Sequence, residues 1–291
     1  MRTGRFTVVL ILAVLCAPLS VALAQDIQAR LIATSTEPLV LPHDLVLTPD
    51  GQTLVVADMG GERIVFLDPD TLALKGSFGE GDLAFPHDVA FDNEGRLWVA
   101  DSGNDRVVLY TLDGLEATQV DAWEGLYGPE GITVAPNGAV YIALVGENRL
   151  VCMRDGEIEA SASLALGADL SRPHDIDILT DEGGFNLIAS DPGHHRLVVF
   201  SKGLIPLYEI STWDPPFTEP KYFAIDENNR LFVADQYNHT IRVFDASSSP
   251  QGQFADNEVK LPEGITVRGK RAWVSDTEGG RVLLYDLVKM D

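Results

Sequence analysis

One motif recurs six times along this chain, and the repetition restricts the fold more than any other feature of the sequence. Its clearest copy spans residues 85–110 and reads FPHDVAFDNEGRLWVADSGNDRVVLY, with a proline near the start, a turn at 93–95 and an apolar segment that ends at Asp101. The opening prolines of the six copies lie at positions 42, 86, 129, 173, 220 and 262, a spacing of 42–47 residues. A period in this range, with short strands and turns rich in Gly, Asn and Asp, predicts a β-propeller with one blade per copy.

The second segment of the repeat is apolar in nearly every copy. It reads LVVA, LWVA, LIAS, LFVA and AWVS in five of them, which is typical of a strand buried between neighbouring blades. The sixth copy leaves room for only three strands, whereas residues 27–33 are strand-like and precede the first copy. We therefore predict an all-β, six-bladed β-propeller. A single domain at residues 25–291 forms it, and an N-terminal strand closes it by pairing as the outer strand of the last blade.

The first 24 residues have the pattern of a secretory signal peptide. Arg2 and Arg5 precede a long apolar run, and alanines at 22 and 24 supply the small residues that signal peptidase requires. Cleavage before Gln25 is predicted, with a retained membrane anchor as the alternative. The mature protein is then periplasmic or extracellular, without stable membrane insertion. Only Cys152 remains after cleavage, so no intrachain disulfide is expected.

The charge balance narrows the range of partners. The chain carries 44 acidic and 21 basic residues, a formal net charge of −23 at pH 7. Nucleic acid and anionic membranes are therefore not expected as partners, because both repel an acidic surface. The partners that remain compatible with this charge are a small molecule, a peptide or another protein.

The residue that follows each opening proline varies from copy to copy, and it is the candidate for function. In a propeller the innermost strands begin beside the central axis, so these six positions are predicted to form a ring at one mouth of the channel. In blade order they are His43, His87, Glu130, His174, Lys221 and Glu263. Three imidazoles and two carboxylates are ligands that suit a divalent metal, zinc first and calcium second. The alternative is a ring of polar residues that merely lines a wet channel. Lys221 either anchors an anionic group or neutralises a glutamate.

Other polar residues of the repeat are predicted to be scaffold. Most copies end the second segment in aspartate (58, 101, 191, 235 and 276) and continue with arginine after the polar loop (63, 106, 149, 196 and 281), a pattern typical of loop-fixing ion pairs. The third copy departs from it at Leu144 and the fifth at Thr240. Asp44, Asp88 and Asp175 follow the ring histidines and either orient the imidazoles or shape turns. His194, His195 and His239 are predicted on the histidine face, where a direct role remains open.

The longest spacing includes the segment Trp213 to Phe217, with two prolines and two aromatic residues. Two exposed aromatic side chains are unusual unless they serve a function. This loop is therefore predicted to form a rim or lid on the face that carries the histidines, or else to pack between blades four and five.

The repeat resembles the NHL repeat. The patterns that carry the resemblance are P-x-[DG]-[IV], then G-x-[LV]-[YWF]-V-A-D, then N-x-R-[IV], and they extend over about residues 27–291. The resemblance implies a six-bladed propeller. It leaves function open, because NHL propellers include enzymes, extracellular sensors and platforms that bind protein or RNA.

Among NHL enzymes the chain looks most like the peptidyl-α-hydroxyglycine α-amidating lyase domain. The resemblance implies a catalytic zinc held by His43, His87 and His174, and cleavage of a hemiaminal C–N bond that releases an amide and glyoxylate. The family takes its three histidines from alternating blades, whereas here they lie on blades one, two and four. Tyr222 and Lys221 are the candidate catalytic residues, Tyr222 from its position alone. The first hypothesis is therefore a secreted, metal-dependent lyase or hydrolase that acts on a small or peptide-like substrate at the channel mouth. The alternative is a non-catalytic sensor or assembly scaffold that binds a ligand or protein through the same face.

Overall fold

The computed structural model describes residues 27–181, 183–211, 214–256 and 258–289, and it is a six-bladed all-β propeller. The predicted signal peptide and Trp213 lie outside the described residues. The strands are β1 (Ile27–Thr34), β2 (Pro42–Leu47), β3 (Leu54–Asp58), β4 (Arg63–Leu67), β5 (Leu74–Phe78), β6 (Pro86–Phe91), β7 (Leu97–Asp101), β8 (Arg106–Asp113), β9 (Glu116–Glu124), β10 (Pro129–Val134), β11 (Val140–Leu144), β12 (Arg149–Arg154), β13 (Glu157–Ala162), β14 (Leu164–Ala165), β15 (Ala168–Asp169), β16 (Ile176–Asp181), β17 (Gly184–Asp191), β18 (Arg196–Ser201), β19 (Pro206–Ile210), β20 (Pro220–Ile225), β21 (Leu231–Asp235), β22 (Thr240–Phe244), β23 (Pro250–Phe254), β24 (Pro262–Arg268), β25 (Arg271–Asp276) and β26 (Arg281–Lys289).

Each blade is a four-stranded antiparallel sheet. Blades one to five are β2–β5, β6–β9, β10–β13, β16–β19 and β20–β23, and blade six has the order β1-β26-β25-β24. The first strands of consecutive blades contact one another in a closed circle around the axis. Strands β14 and β15 form a small hairpin between blades three and four. Within the described ranges, no helix is long and apolar enough to cross a membrane.

Five short 3₁₀ turns join the second and third strands of blades one to five. They span Met59–Gly61, Ser102–Asn104, Val145–Glu147, Pro192–His194 and Gln236–Asn238. Each ends in a residue with left-handed backbone conformation, among them Asp105, Asn148, His195 and His239. The repeat thus specifies the same tight turn on the histidine face of each of these blades.

The predicted closure of the ring is confirmed. Strand β1 pairs antiparallel with β26, from Ile27 opposite Lys289 to Thr34 opposite Leu283. Ser35 continues the contact, because its backbone N–H donates to the Val282 carbonyl at 2.9 Å and its Oγ accepts from the Val282 N–H at 2.9 Å. The N-terminal strand therefore covers the edge that β26 would otherwise expose.

The core is divided among the blade interfaces. The described residues form six apolar clusters, and each cluster lies between one pair of neighbouring blades. The second strand of each blade is buried, as the apolar segments predicted. Because no cluster is shared by all blades, each blade depends on both of its neighbours.

The predicted loop-fixing ion pairs are confirmed. The strand-two aspartate contacts the arginine five residues later in blades one, two, four and six, at 2.8, 2.6, 2.9 and 2.9 Å. In blade five, Thr240 stands where arginine is expected, and Arg242 supplies the guanidinium, 2.6 Å from Asp235. In blade three Arg149 pairs with Glu147 instead. The aspartates also accept backbone N–H groups of the opening loops, as Asp101 does from Ala84 at 2.7 Å.

The segment that breaks the period packs between blades at its described end. Phe217 is 2% exposed and lies against Phe244, with the Arg242 guanidinium 5.4 Å from its ring centroid. The interpretation of Phe217 as an exposed aromatic residue is wrong, because the blade four–five interface buries the ring.

Two glycines lie where neighbouring inner strands approach each other closely. A Cβ at Gly264 of blade six would lie 2.5 Å from the His43 carbonyl oxygen and 2.7 Å from the Asp44 Cα, and Gly131 of blade three meets the blade four backbone in the same way. Because glycine has no Cβ, each of these strands can lie directly against the backbone of the ring histidine in the next blade.

We expect Gly264→Ala to destabilise the protein by about 2 kcal/mol, because the methyl group forces two backbones apart. Gly203→Ala is the matched control, since a Cβ there meets only the Ser201 Oγ, at 3.9 Å. Urea unfolding of both variants measures the difference. Equal stability of the two variants would show that the inner strands can shift freely.

Candidate functional site

The six residues that follow the opening prolines meet at one end of the channel, and we call them the mouth ring. Going round the axis, Lys221 Nζ lies 2.9 Å from Glu263 Oε1, and the same oxygen lies 3.6 Å from His43 Nε2. The rings of His43 and His87 meet edge to face, with centroids 4.7 Å apart. Glu130 then lies between His87, at 3.8 Å, and His174, at 2.6 Å. The structure therefore brings all six predicted positions together.

Backbone carbonyls fix the orientation of the three imidazoles. Nδ1 of His43 lies 3.1 Å from the Leu41 carbonyl oxygen, and Nδ1 of His87 lies 2.7 Å from that of Phe85. In His174 the corresponding distance, to the Arg172 carbonyl oxygen, is 3.3 Å. A carbonyl oxygen only accepts, so each Nδ1 carries a proton and Nε2 is directed towards the ring carboxylates.

The residues that supply these carbonyls have unusual backbone conformations. Leu41, Phe85 and Arg172 directly precede the opening prolines and have φ values of 56°, 47° and 57°. This left-handed region is strained for bulky side chains. The strained turn places each carbonyl two residues before the imidazole that it orients.

The protonation states follow from burial. Burial lowers the pKa of His43, although Glu263 acts in the opposite direction, and burial together with His43 lowers the pKa of His87 to about 4. For Glu130 burial alone raises the pKa, but the imidazoles of His174 and His87 outweigh it and lower the pKa to about 2. Near pH 7 the site therefore holds neutral imidazoles at His43 and His87 beside an ionised carboxylate at Glu130.

Glu263 is clamped, and one of its partners was missed by sequence reasoning. Its side chain is 1% exposed, Lys221 donates to Oε1, and the Nε2 of Gln236 donates to Oε2. Gln236 follows the strand-two Asp235 of blade five and is 2% exposed. Ser102 and Thr277 occupy the same place in their blades and donate to the opening proline carbonyl of the next blade. The signal was thus present in the repeat, as an amide where two other copies have a hydroxyl group and three have an apolar residue.

Tyr222 lies inside the mouth ring, and only 1% of it is exposed. Its ring meets those of His174 and His43 edge to face, with centroids 5.9 and 6.4 Å away, and its hydroxyl donates to the Glu130 carbonyl at 3.2 Å. Burial raises the pKa of Tyr222 well above its usual value. The phenol therefore stays protonated and acts as a donor across the ring, from blade five to blade three.

The aspartates that follow the ring histidines face the channel below the ring. Asp88 accepts from the N–H groups of Val89 and Ile132, both at 2.6 Å, and Asp175 accepts from that of Phe223 at 2.9 Å. Backbone carbonyls, and not these aspartates, orient the imidazoles. With Asp44 and Asp177 they line a channel cavity of about 250 Å³. Burial raises the pKa of Asp88 to about 6 and raises the pKa values of Asp44 and Asp175 well above their usual range.

The other three histidines serve the scaffold. His194 Nδ1 lies 3.0 Å from Asp191 Oδ2. His195 Nδ1 accepts from the Glu219 N–H at 3.2 Å, and His239 Nδ1 contacts the Lys260 carbonyl, so both tie a 3₁₀ turn to the opening of the next blade. Asp105 and Asn148 do the same in blades two and three.

The mouth ring does not have the spacing of a formed metal site. Over the ranges that the structure describes, no three His, Cys, Asp or Glu side chains are grouped closely enough to hold a metal ion. The ring carboxylates are instead paired with neighbouring side chains. Metal binding at the ring stays a prediction.

Sequence comparison identifies relatives that share the repeat. The NHL repeat family pattern matches residues 83–110. NHL repeat-containing protein 3 of Homo sapiens is 31% identical over 163 residues, which are 50% of this chain and 46% of that protein. NHL repeat-containing protein 2 of Bos taurus is 28% identical over 252 residues, 74% of this chain and 32% of that protein. These similarities support the interpretation of the repeat as an NHL repeat. The chain spans less than half the length of each of these relatives.

Solved structures share the propeller fold. A catalytically inactive virginiamycin B lyase from Staphylococcus aureus with quinupristin has a TM-score of 0.64 and 12% identity, covering 90% of this chain and 100% of that one. A gluconolactonase from Xanthomonas campestris has a TM-score of 0.67 and 16% identity, covering 86% and 87%. At these identities the likeness concerns the fold alone.

Proposed function

We propose that this NHL propeller binds a divalent metal at the mouth ring and is a metal-dependent lyase that acts on a small or peptide-like substrate. We also propose that it works in the periplasm or outside the cell, on the basis of the apolar run in residues 1–24. The reaction type rests on the resemblance to peptidylamidoglycolate lyase.

The observation that carries the proposal is the direction of the imidazoles. Nδ1 of His43 and of His87 is engaged by a carbonyl, so the Nε2 lone pair faces a carboxylate oxygen, at 3.6 Å and 3.8 Å. Two electron-rich atoms that face each other in a buried site repel. A divalent cation relieves that repulsion, and engagement of Nδ1 by a carbonyl is the usual support of metal-binding histidine.

The residues of the ring fit zinc better than calcium. Zinc accepts imidazole nitrogen together with carboxylate oxygen, whereas calcium takes six to eight oxygen ligands. The ring supplies His43, His87 and His174 but only two carboxylates, Glu130 and Glu263. A bound zinc would polarise an oxygen of the substrate.

Lys221 of the mouth ring and Tyr222 beside it would position the substrate. Lys221 is 17% exposed at its side chain and held by Glu263, so its ammonium group can attract an anionic substituent. Tyr222 stays protonated and holds the Glu130 backbone. In the lyase reaction, the C–N bond of the α-hydroxyglycine breaks as its hydroxyl becomes the aldehyde of glyoxylate, and the hydroxyl proton goes to the departing amide nitrogen.

A second candidate function is a non-catalytic propeller that binds a ligand or protein through the same face. The observation that favours it is the internal pairing of the carboxylates. Glu263 has donors in Lys221 and Gln236, and Glu130 lies 2.6 Å from His174. A ring neutralised in this way needs no metal.

Metal analysis separates the two functions. We expect the purified chain to retain about one zinc per molecule after dialysis, and His87→Ala and His174→Ala to weaken zinc binding by about tenfold or more. His239→Ala is the control, because that histidine lies on the same face but outside the ring. Glyoxylate release from N-acyl-α-hydroxyglycines then tests the reaction.

Absence of specific zinc binding would identify the non-catalytic binding function. If the chain retains no zinc, or if His87→Ala retains as much as His239→Ala, the ring is not a metal site. Zinc retention without glyoxylate release would keep the metal site and reject this reaction.

A further inference from the structure

A groove of about 360 Å³ lies between blades two and three, away from the mouth ring and the channel. The turns that border it join strands one to two and three to four of these blades, so they lie at the end of the propeller opposite the mouth ring. We call it the tryptophan groove. The side chains and glycine that matter for its chemistry are Arg96, Trp98, Asp121, Trp123, Asp155 and Gly156.

Two tryptophans supply the aromatic surface of the groove. The indole rings of Trp98 and Trp123 stack, with centroids 4.8 Å apart and planes inclined by 14°. An apolar side chain at position 123 serves the scaffold, because Phe78, Ile210 and Phe254 occupy the same place on the outer strands of other blades. Those residues have no polar atom in the side chain. The packing of the blades therefore explains the ring of Trp123 but not its N–H group.

The indole N–H of Trp123 has no hydrogen-bond acceptor among the described residues. The indole N–H groups of Trp98 and Trp273, by contrast, donate to protein oxygens at 3.1 and 2.8 Å. Gly156 lies beside the unpaired group, and a Cβ at this position would be 2.7 Å from the Trp123 Nε1. The turn also favours glycine there, since φ is 82°. A donor thus lines the groove without a partner from the protein.

The groove contains acceptors as well as donors. Asp121 and Asp155 are exposed and supply carboxylates, and Arg96 supplies a guanidinium that already contacts Asp92 and Glu94 at 2.7 and 3.3 Å. Two carboxylates in a protein of net charge −23 disfavour an anionic ligand. A cationic ligand would pair with the carboxylates but would leave the indole N–H without an acceptor. A hydroxyl group both donates and accepts, so a neutral ligand rich in hydroxyl groups matches this lining.

We infer that the tryptophan groove binds a neutral sugar ring. The C–H groups of such a ring pack against an aromatic surface, which the stacked indoles of Trp98 and Trp123 provide. Its hydroxyl groups donate to the carboxylates of Asp121 and Asp155 and accept from the indole N–H. The volume of the groove is in the range of small-molecule sites. The inference is independent of the proposed metal and lyase reaction, because the two sites lie at opposite ends of the propeller.

The test is calorimetric titration of the purified chain with methyl β-D-glucopyranoside and methyl β-D-galactopyranoside. We expect at least one of them to bind with a Kd of about 1 mM, because a single sugar ring has few atoms that can gain binding free energy. The uronic acid and the amino sugar of the same ring carry a negative and a positive charge. We expect both to bind about tenfold more weakly than the neutral ring, or not at all.

Two variants locate the site. Trp123→Phe removes the indole N–H but keeps an aromatic ring, which blades one and five already have at this place. It should raise the Kd by about three- to tenfold, the effect of one lost hydrogen bond, and Asp121→Ala on the exposed outer strand should have a similar effect. Trp273→Phe is the matched control, because that indole lies between blades six and one, and its loss should leave the Kd unchanged. Quenching of tryptophan fluorescence by the sugar should persist in Trp273→Phe and decrease in Trp123→Phe.

Three results would overturn the inference. The first is no saturable binding of either glycoside at about ten times the expected Kd. The second is tighter binding of the amino sugar than of the neutral ring, which would make the groove a site for cations. The third is an equal Kd in Trp123→Phe, Asp121→Ala and Trp273→Phe, which would place the sugar elsewhere on the protein.

Discussion

Removal of residues 25–35 is expected to abolish cooperative folding of the propeller. Strand β1 pairs with β26 over its whole length and forms the outer strand of blade six. Ile27 and Ala29 pack against the cluster between blades five and six, and Ala33 packs against the one between blades six and one. The deletion therefore weakens both interfaces of one blade and opens the ring. The loss is comparable with the whole stability of a domain, about 5–15 kcal/mol.

Thermal unfolding followed by circular dichroism measures this effect on chains that begin at residue 25 and at residue 36. Because the shorter chain lacks many contacts, a point variant isolates the pairing. Ala29→Asp places a charge on the packed side of β1 and should lower the melting temperature, whereas Gln28→Asp on the exposed side should not. A cooperative melt at unchanged temperature in the shorter chain would contradict closure by β1.

The fold could be predicted because its signals are local. A proline, a tight turn and an apolar second strand recur within each copy, so the number of copies gives the number of blades. The sixth copy supplies only three strands, which predicts that another segment pairs with its exposed edge. The mouth ring followed from the same argument, since the position after the opening proline is fixed by topology. His43, His87 and His174 could therefore be placed on one ring before any distance was known.

The pairing of the ring residues could not be predicted, because it depends on which neighbouring blade each side chain reaches. Glu263 lies between Lys221 and His43, and Glu130 contacts His174. Each of these contacts joins residues that are at least 42 positions apart in the sequence. Gln236 was missed because it belongs to a loop rather than to the opening motif. The burial of Phe217 could not be predicted, because its neighbours Arg242 and Phe244 lie more than 20 residues later in the sequence.

Lys221→Met is expected to destabilise the protein by about 3 kcal/mol, because it leaves a buried carboxylate without its cation. Glu263 is 1% exposed at its side chain, and only the Gln236 amide and the His43 imidazole remain beside it. Glu263→Gln should cost less, about 1 kcal/mol, since the Lys221 ammonium is partly exposed and can turn to water. The two substitutions therefore have unequal effects although they break the same contact.

The double variant Lys221→Met/Glu263→Gln provides the decisive comparison. Because it carries no charge at either position, its unfolding free energy in urea should lie close to that of Glu263→Gln and above that of Lys221→Met. Arg30→Met is the control for loss of an exposed ion pair, since Arg30 is 72% exposed and its loss should cost about 0.5 kcal/mol or less. If Lys221→Met behaves like Arg30→Met, Glu263 does not depend on lysine for its charge. In that case the amide of Gln236 suffices to stabilise the carboxylate, and Lys221 is free to bind substrate.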